Sequence, residues 1–135
     1  MTAAAADLQK ALFEALNGDA ALAAMLGGAK IFDHAPANVA FPYVSFGRTS
    51  VYDWSTSTES GTEQLFTLHI WSKARGKREA LAIMEIVRAR LDGGPLVLDR
   101  NLLVNMTLEF VEVRYDEDLS VYHGLLRFRA VTEEA

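Results

Sequence analysis

Apolar positions near the start of the chain repeat at the spacing of an amphipathic helix. They fall at Leu8, Leu12, Phe13 and Leu16. This stripe predicts a helix over residues 4–16. The Asn-Gly pair that follows favours the left-handed conformation that ends a helix. Asp19 is then the predicted N-cap of a short second helix over residues 20–26.

Farther along, apolar residues alternate with polar ones, which is the period of a β-strand. Strands are predicted over residues 31–32, 42–51, 63–72, 96–98, 102–115 and 120–130. The strand over residues 63–72 is the clearest, because Phe66, Leu68 and Ile70 point to one face. The opposite face carries Leu65, Thr67, His69 and Trp71. Since this second face is half apolar, we expect something to cover part of it.

A second helical stripe divides the strands into two groups. It comprises Leu81, Ile83, Met84, Ile86, Val87 and Leu91. The stripe predicts a helix over residues 76–92 with one apolar side. The Gly-Gly-Pro sequence that follows ends this helix.

The predicted strand over residues 102–115 changes phase along its length. Apolar side chains first occupy Leu102, Val104, Met106, Leu108 and Phe110, and then Val111 and Val113. This change predicts either a β-bulge after Phe110 or a strand that changes its packing partner. The acidic residues 116–118 predict a hairpin turn.

In the last strand we expect three side chains, Tyr122, Leu126 and Phe128, to face the core. Beyond this strand, residues 132–135 are expected to fray.

The order of the elements is helix, helix, strands, helix, strands, and neighbouring strands are joined by hairpins. This order predicts an α+β fold, with a mainly antiparallel β-sheet and helices packed on one face. The length of 135 residues suits a single domain over residues 1–135 with one hydrophobic core.

Composition narrows the classes of function. A net charge of -5 argues against a surface built to grip nucleic acid, although an acidic wall lets DNA slide past without sticking. The absence of cysteine excludes disulfides and thiolate metal sites. The chain shows neither a signal-peptide pattern nor an apolar run long enough for a bilayer, so we expect no membrane association.

The sequence brings together no set of residues of the kind that active sites require. His34, His69 and His123 are far apart, and none has a ligand partner at helical or turn spacing. This favours surface or packing roles for all three. The acidic turn lacks the spacing of a calcium loop, and the serines near Trp54 do not form a nucleophile elbow. We therefore predict a protein that is not an enzyme and needs no cofactor.

Two polar segments favour contact with a partner. Residues 53–62 form a long loop around Trp54, and tryptophan is enriched in interface cores. Folding of Trp54 back onto its own sheet is an equal alternative. Lys73, Arg75, Lys77 and Arg78 place positive charge where the helix dipole disfavours it. That placement points to an acidic partner or phosphate, and a solvated charge run is the simpler interpretation.

Several short motifs follow one another in an order that matches a known family. They are Phe32-Asp33-His34-Ala35-Pro36, Phe41-Pro42-Tyr43-Val44, Gly47, Trp54-Ser55-Thr56, Glu59, Gly61, Glu63, His69-Ile70-Trp71-Ser72 and Gly124-Leu125-Leu126-Arg127-Phe128-Arg129. Their order and spacing resemble the phage tail completion, or tail terminator, proteins of tailed phages, prophages and alphaproteobacterial gene transfer agents. The resemblance covers nearly the whole chain, from the first helix to Arg129.

The resemblance implies an α+β domain that assembles as a homo-oligomeric ring, usually a hexamer, on the last ring of the tail tube protein. Such a ring ends tail growth, offers a docking surface to the head-tail connector protein, and lets DNA pass through its lumen. The implied location is the tail of a virion or phage-like particle that is assembled in the bacterial cytoplasm. The family offers no catalytic residues and no cofactor.

We therefore expect the interface to draw on the polar loop, the second face of the strand over residues 63–72 and the basic cluster. The candidate residues are Asp53, Trp54, Thr56, Glu59, Glu63, Thr67, His69, Trp71, Lys73 and Arg75. The alternative function is a small ligand- or nucleic-acid-binding module that uses Trp54 and the basic residues 73–78. That alternative predicts salt-sensitive binding of DNA.

Overall fold

The computed structural model describes residues 2–53, 55, 57, 60–93 and 95–134. The helices are α1 (Thr2–Asn17), α2 (Ala20–Leu26) and α3 (Arg78–Leu91). The strands are β1 (Ile31–Phe32), β2 (Tyr43–Asp53), β3 (Gly61–Ser72), β4 (Asn101–Asp116) and β5 (Val121–Glu134).

The strands form one sheet in the order β1-β2-β3-β5-β4. The β1 strand pairs with β2 in parallel, and every other pairing is antiparallel. Helix α3 connects β3 to β4 while β5 lies between them, so the chain crosses over the sheet at this point. The predicted α+β fold with a mainly antiparallel sheet is confirmed.

The short helix α2 begins and ends where its sequence predicts. The Asp19 carboxylate accepts a hydrogen bond from the amide of Leu22 at 2.9 Å, which satisfies a free donor of the first turn. At the other end Gly27 adopts the left-handed conformation with φ of 78°, and glycine bears this conformation without a Cβ penalty. Residue choice at both caps therefore fixes the length of α2.

The helices cover one face of the sheet, here called the covered face. On it, Phe66 and Phe128 stack with ring centroids 5.3 Å apart. Leucines of α1 and α2 and the apolar side of α3 complete the core, whose fully buried members include Leu8, Leu12, Leu22, Leu26, Ile83, Val87 and Leu91. Two predicted core residues lie outward instead: Phe13 is 39% exposed and Leu81 is 48% exposed. Ala80, one position before Leu81, faces the sheet in its place.

The alternating apolar residues of β4 do not share one face of the sheet. Leu102, Val104 and Phe110 are exposed, whereas Leu103, Leu108 and Val113 pack against the core with the buried Met106. The reason is that the register with β5 shifts twice, between Leu103 and Asn105 and between Leu108 and Phe110. Each shift moves the following side chains to the opposite face. The bulge predicted near Phe110 is confirmed, and the earlier one was not anticipated.

The chain ends within the sheet rather than fraying. Strand β5 continues to Glu134, and the Thr132 hydroxyl lies 2.6 Å from that of Thr62 in a buried contact. The amide of Glu134 also donates to the Ser60 carbonyl at 2.9 Å. The prediction of fraying is therefore wrong for residues 132–134, because β3 supplies partners that a single segment of sequence does not reveal.

Residues 96–98, which were predicted as a strand, have no regular secondary structure. The residues that follow them are bound by a buried carboxylate. Asp7 of α1 accepts hydrogen bonds from the amides of Asp99, Arg100 and Asn101 at 2.9–3.0 Å, and from the Asn101 side chain. Burial alone raises the pKa of Asp7, but these four donors outweigh it and lower the pKa below its ordinary value. The contact ties α1 to the first residue of β4.

Candidate assembly surface

The side of the sheet that faces away from the helices is here called the open face. Along β3 buried and half-buried residues alternate, so Phe66, Leu68 and Ile70 face the helices. Their neighbours face outward, and adjacent strands add further side chains to the same side. The open face comprises Tyr43, Ser45, Ser50, Tyr52, Glu63, Leu65, Thr67, His69, Trp71, Phe110, Glu112, Arg114, His123, Leu125, Arg127 and Arg129. The predicted division of β3 into two faces is confirmed.

Two histidines meet on this face, which corrects the expectation that the three histidines are far apart. The Nδ1 atom of His69 lies 2.6 Å from the Nε2 atom of His123, across the β3–β5 pair. Trp71 stacks on His123 with centroids 4.0 Å apart and planes 6° from parallel. The Trp71 indole also donates to the Ser45 hydroxyl at 3.0 Å. His34 remains exposed and apart from this pair.

Burial lowers the pKa of His69. The pKa of His123 is also lowered, mainly by burial and to a smaller extent by the nearby charges of His69 and Arg114. Asp116 and Glu112 oppose this shift at His123 without cancelling it. Neutral imidazoles are thus favoured at neutral pH. The hydrogen bond between the rings also requires an unprotonated nitrogen as acceptor, so the pair cannot hold two protons and keep its contact.

The open face contains a shallow trough of about 650 Å³ that is lined by residues of β2, β3, β4 and β5. Leu65, Leu125 and Phe110 give the trough apolar surface, and Arg48 and Glu112 lie among the charged residues that line it. Arg127 lies over the Phe110 ring at 4.9 Å and 3.9 Å from Glu109. Beside the trough, Arg129 donates to Glu63. The surface is therefore mixed, with paired charges around apolar side chains.

The basic cluster lies between the end of β3 and the start of α3. The Lys73 ammonium sits 4.5 Å from the centroid of the Phe41 ring, while Arg75, Lys77 and Arg78 are exposed. The buried Ser72 hydroxyl donates to Glu79 at 2.7 Å and accepts from the Ala74 amide at 3.1 Å. These bonds hold the turn that presents Lys73 and Arg75 beside the open face.

The polar loop is shorter than predicted, because β2 extends to Asp53 and β3 begins at Gly61. The Asp53 carboxylate accepts from the Ser55 amide at 2.9 Å. Three predicted interface residues, Trp54, Thr56 and Glu59, lie outside the described residues. The structure thus brings Glu63, Thr67, His69 and Trp71 together on one face and places Lys73 and Arg75 at its end.

Sequence reasoning missed several members of this surface, above all His123, Arg127, Phe110 and Glu112. His123 was visible as a histidine within a predicted strand, but the pairing of β3 with β5 was not deducible. The face on which Phe110 lies was not deducible, because the position of the bulge decides which way its side chain points. The missing information was strand register, not residue type.

Within the described ranges, no group of three or more histidine, aspartate or glutamate side chains could hold a metal ion. The helices of the described chain are too short or too polar to cross a membrane. A half-apolar sheet face that no helix of the described chain covers is typical of domains that bind other macromolecules.

The comparison with protein families makes this class specific. Residues 10–133 match the family of tail completion protein gp17, and the chain belongs to this family. Among solved structures, a protein from the virion of a native gene transfer agent particle is similar, with 34% sequence identity and a TM-score of 0.88. The match covers 96% of this chain and 96% of that one. No curated protein matches the chain.

Proposed function

We propose that this protein is a structural component of a phage-like tail, where it forms a ring that caps the tail tube. The ring ends tail growth and presents the surface on which the head-tail connector protein docks, with DNA passing through the lumen. The observation that carries this proposal is the match, over nearly the full length of both chains, to a protein of a gene transfer agent virion. Family membership over residues 10–133 supports it.

The shape and charge of the molecule suit such a role. A ring requires two different patches on each copy that meet head to tail around a closed rotation. The uncovered sheet face and the long edge strands offer surfaces that the fold itself does not use. The net charge of -5 argues against tight binding of DNA by the surface as a whole. In this proposal the chain acts as one domain over residues 1–135 and performs no catalysis.

The interface residues take three roles in the proposal. Glu63, Thr67, His69 and Trp71 lie on the open face and contact a ring neighbour or line the lumen. Lys73 and Arg75 meet acidic groups of an adjoining protein. The loop that contains Asp53, Trp54, Thr56 and Glu59 reaches the tail tube protein. The protein is assembled in the bacterial cytoplasm and remains in the tail of the finished particle.

Deletion of the gene in a strain that produces particles tests the function. The expected result is headless tails of uncontrolled length beside DNA-filled heads without tails, seen by negative-stain electron microscopy. Expression of the intact chain from a plasmid should restore joined particles. Joined particles with tails of normal length in the deletion strain would refute the proposal.

A binding module for small ligands or nucleic acid is the weaker alternative. One cation of its basic cluster, Lys73, already interacts with Phe41. The ring proposal predicts no shift of DNA by the purified protein at low salt, and a shift that disappears with added salt would favour the alternative.

A further inference from the structure

The two ends of the sheet suggest how copies of this chain join. We propose that the free edge of β2 in one copy pairs with the free edge of β4 in the next. This contact rests on the ring proposed above. The strands then form one continuous antiparallel wall around the ring, with the open face toward the lumen. This assigns the subunit contact to strand edges and leaves the open face for the channel.

Strand β4 forms one edge of the sheet, and the part of β2 that β1 leaves unpaired forms most of the other. Both strands are long and only partly covered. The short β1 strand pairs with β2 at Val44 and Ser45 alone, so residues 46–52 have no strand beside them on that side within the described chain. At the other end of the sheet, the Asp92 carboxylate accepts from the Leu108 amide at 3.0 Å, and the Gly93 amide donates to the Met106 carbonyl at 3.0 Å. No strand lies beside residues 110–116 in the part of the chain that the structure describes. Unpaired strand edges of this kind accept another strand.

Exposed apolar side chains are concentrated on the same strands. Among the residues that the structure describes, the exposed large hydrophobic ones are Phe13, Tyr52, Leu81, Val97, Leu102, Val104, Phe110, Val111, Tyr115 and Leu119. Five of these ten lie on β4, and Tyr52 lies on β2. Soluble proteins normally protect an edge strand with charges or a covering segment. The apolar composition of β4 is thus that of a strand buried in the assembled state.

The directions of the strands select a head-to-tail contact. Because β2, β3, β5 and β4 are successively antiparallel, β2 and β4 run in opposite directions. A rotation about an axis roughly along the strands therefore places β2 of one copy antiparallel to β4 of its neighbour. Pairing of β4 with a second β4 would instead create a two-fold dimer, which does not extend into a ring.

The register within one sheet shows that β2 of one copy and β4 of the next must be shifted relative to each other along the strand direction. Ser50 of β2 lies level with Thr107 of β4, and Val44 lies level with Val113. Without an offset, the free part of each strand would meet the covered part of the other. Strands in a closed barrel tilt by about 35–45°, and across four strands about 4.8 Å apart this tilt requires an offset of about 4–6 residues. An offset of this size moves Ser50 from Thr107 to the vicinity of Glu112.

This offset brings two aromatic side chains together. Tyr52 comes beside Phe110, and both are among the exposed apolar residues. Aromatic pairs are favourable cross-strand neighbours in a sheet. In the proposed ring we orient the open face and its trough toward the axis, which leaves the helices outside.

Disulfide trapping tests the pairing directly, because the chain contains no cysteine. Ser50→Cys is combined in turn with Phe110→Cys, Glu112→Cys or Arg114→Cys, and particles assembled from each variant are oxidised. Two strands separate Ser50 from these positions within one copy, about 14 Å, and a disulfide spans no more than about 7 Å between Cα atoms. Any bond formed therefore joins two copies.

We expect a ladder of covalent multimers on non-reducing gels, strongest for Ser50→Cys with Glu112→Cys. The matched control combines Ser50→Cys with Asn105→Cys, which lies on the covered part of β4 and should give monomers. Particles with rings at the tail end but no ladder from any of the three pairs would overturn edge pairing and leave the proposed function intact. Absence of a ring from tails built with the unaltered chain would refute the proposed function itself.

Discussion

The two faces of the sheet are built from alternate residues of the same strands, yet they are stabilised in different ways. On the covered face, Leu68, Ile70 and Phe128 are completely buried under the helices. On the open face, His69, Trp71 and Leu125 are half-buried and contact chiefly each other and their strand neighbours. The covered face therefore determines the free energy of unfolding, while the open face is available for contact with other molecules.

The largest difference between the faces should appear when a large side chain is removed. Phe128→Ala deletes one member of the Phe66–Phe128 stack and should lower the free energy of unfolding by about 3–5 kcal/mol. Leu125→Ala, three positions earlier on the open face, should cost about 1 kcal/mol. Urea unfolding followed by circular dichroism measures both. Equal losses would show that the open face is part of the core.

A polar contact joins helix α1 to the start of β4. Asp7→Asn keeps the shape of the side chain but weakens its bonds to three amides at the start of β4, and should cost about 1–3 kcal/mol. Lys10→Gln is the control, since Lys10 and Asp99 form an exposed ion pair of small value.

The pH dependence of the Asp7 contribution has a definite sign. Since its pKa is lowered in the folded protein, the unfolded chain binds the proton first as the pH falls. The stabilisation is complete above about pH 4 and is lost as the pH falls through the lower folded pKa. The gap between the intact chain and Asp7→Asn should therefore narrow below about pH 4. A gap that stays constant to pH 2 would contradict the charged contact.

Two glycines offer a matched pair of smaller changes. A Cβ at Gly124 would lie 2.5 Å from the Met84 sulfur on the covered face, and one at Gly47 would lie 2.1 Å from His69 Nε2 on the open face. Gly124→Ala should cost about 1–3 kcal/mol because Met84 is packed between α3 and the sheet. Gly47→Ala should change stability by less than about 1 kcal/mol, but should displace the His69 ring and alter the NMR signals of both imidazoles. Unaltered His123 signals would argue against the paired rings.

The smallest expected effect is a loss of folding stability at mildly acidic pH. Because the pKa of His69 and that of His123 are lowered in the fold, the unfolded chain takes up protons first below about pH 6.5. Stability should fall as the pH drops from 6.5 through the folded pKa values, by less than about 1 kcal/mol because both rings are half exposed. Combined His69→Gln and His123→Gln should flatten this slope. Thermal unfolding between pH 7.5 and 5 measures the difference.

The parts of the fold that depend on neighbouring residues could be predicted from the sequence. The cap by Asp19, the termination of α2 at Gly27 and the two-faced character of β3 follow from side-chain chemistry within a few positions. The resemblance to tail completion proteins also led to the correct family. These features need no knowledge of which strands pair.

The features that were missed all depend on pairing between distant residues. The faces of Phe110 and Val104 could not be predicted, because two bulges set the phase of β4. The His69–His123 contact joins residues 54 positions apart. Thr132 was expected to fray, yet Thr62 holds it in the sheet. The location of Trp54 relative to a partner stays a prediction.

The central claim is that this chain forms the ring at the head-proximal end of the tail tube, with the open face toward the axis. Cryo-electron microscopy of joined particles, averaged on the head–tail junction, tests it most directly. The account predicts one ring of this protein on the last tube ring, with β2 and β4 of adjacent copies side by side and α1–α3 on the outside. Density for this chain elsewhere in the particle, or a lumen lined by its helices, would contradict the account.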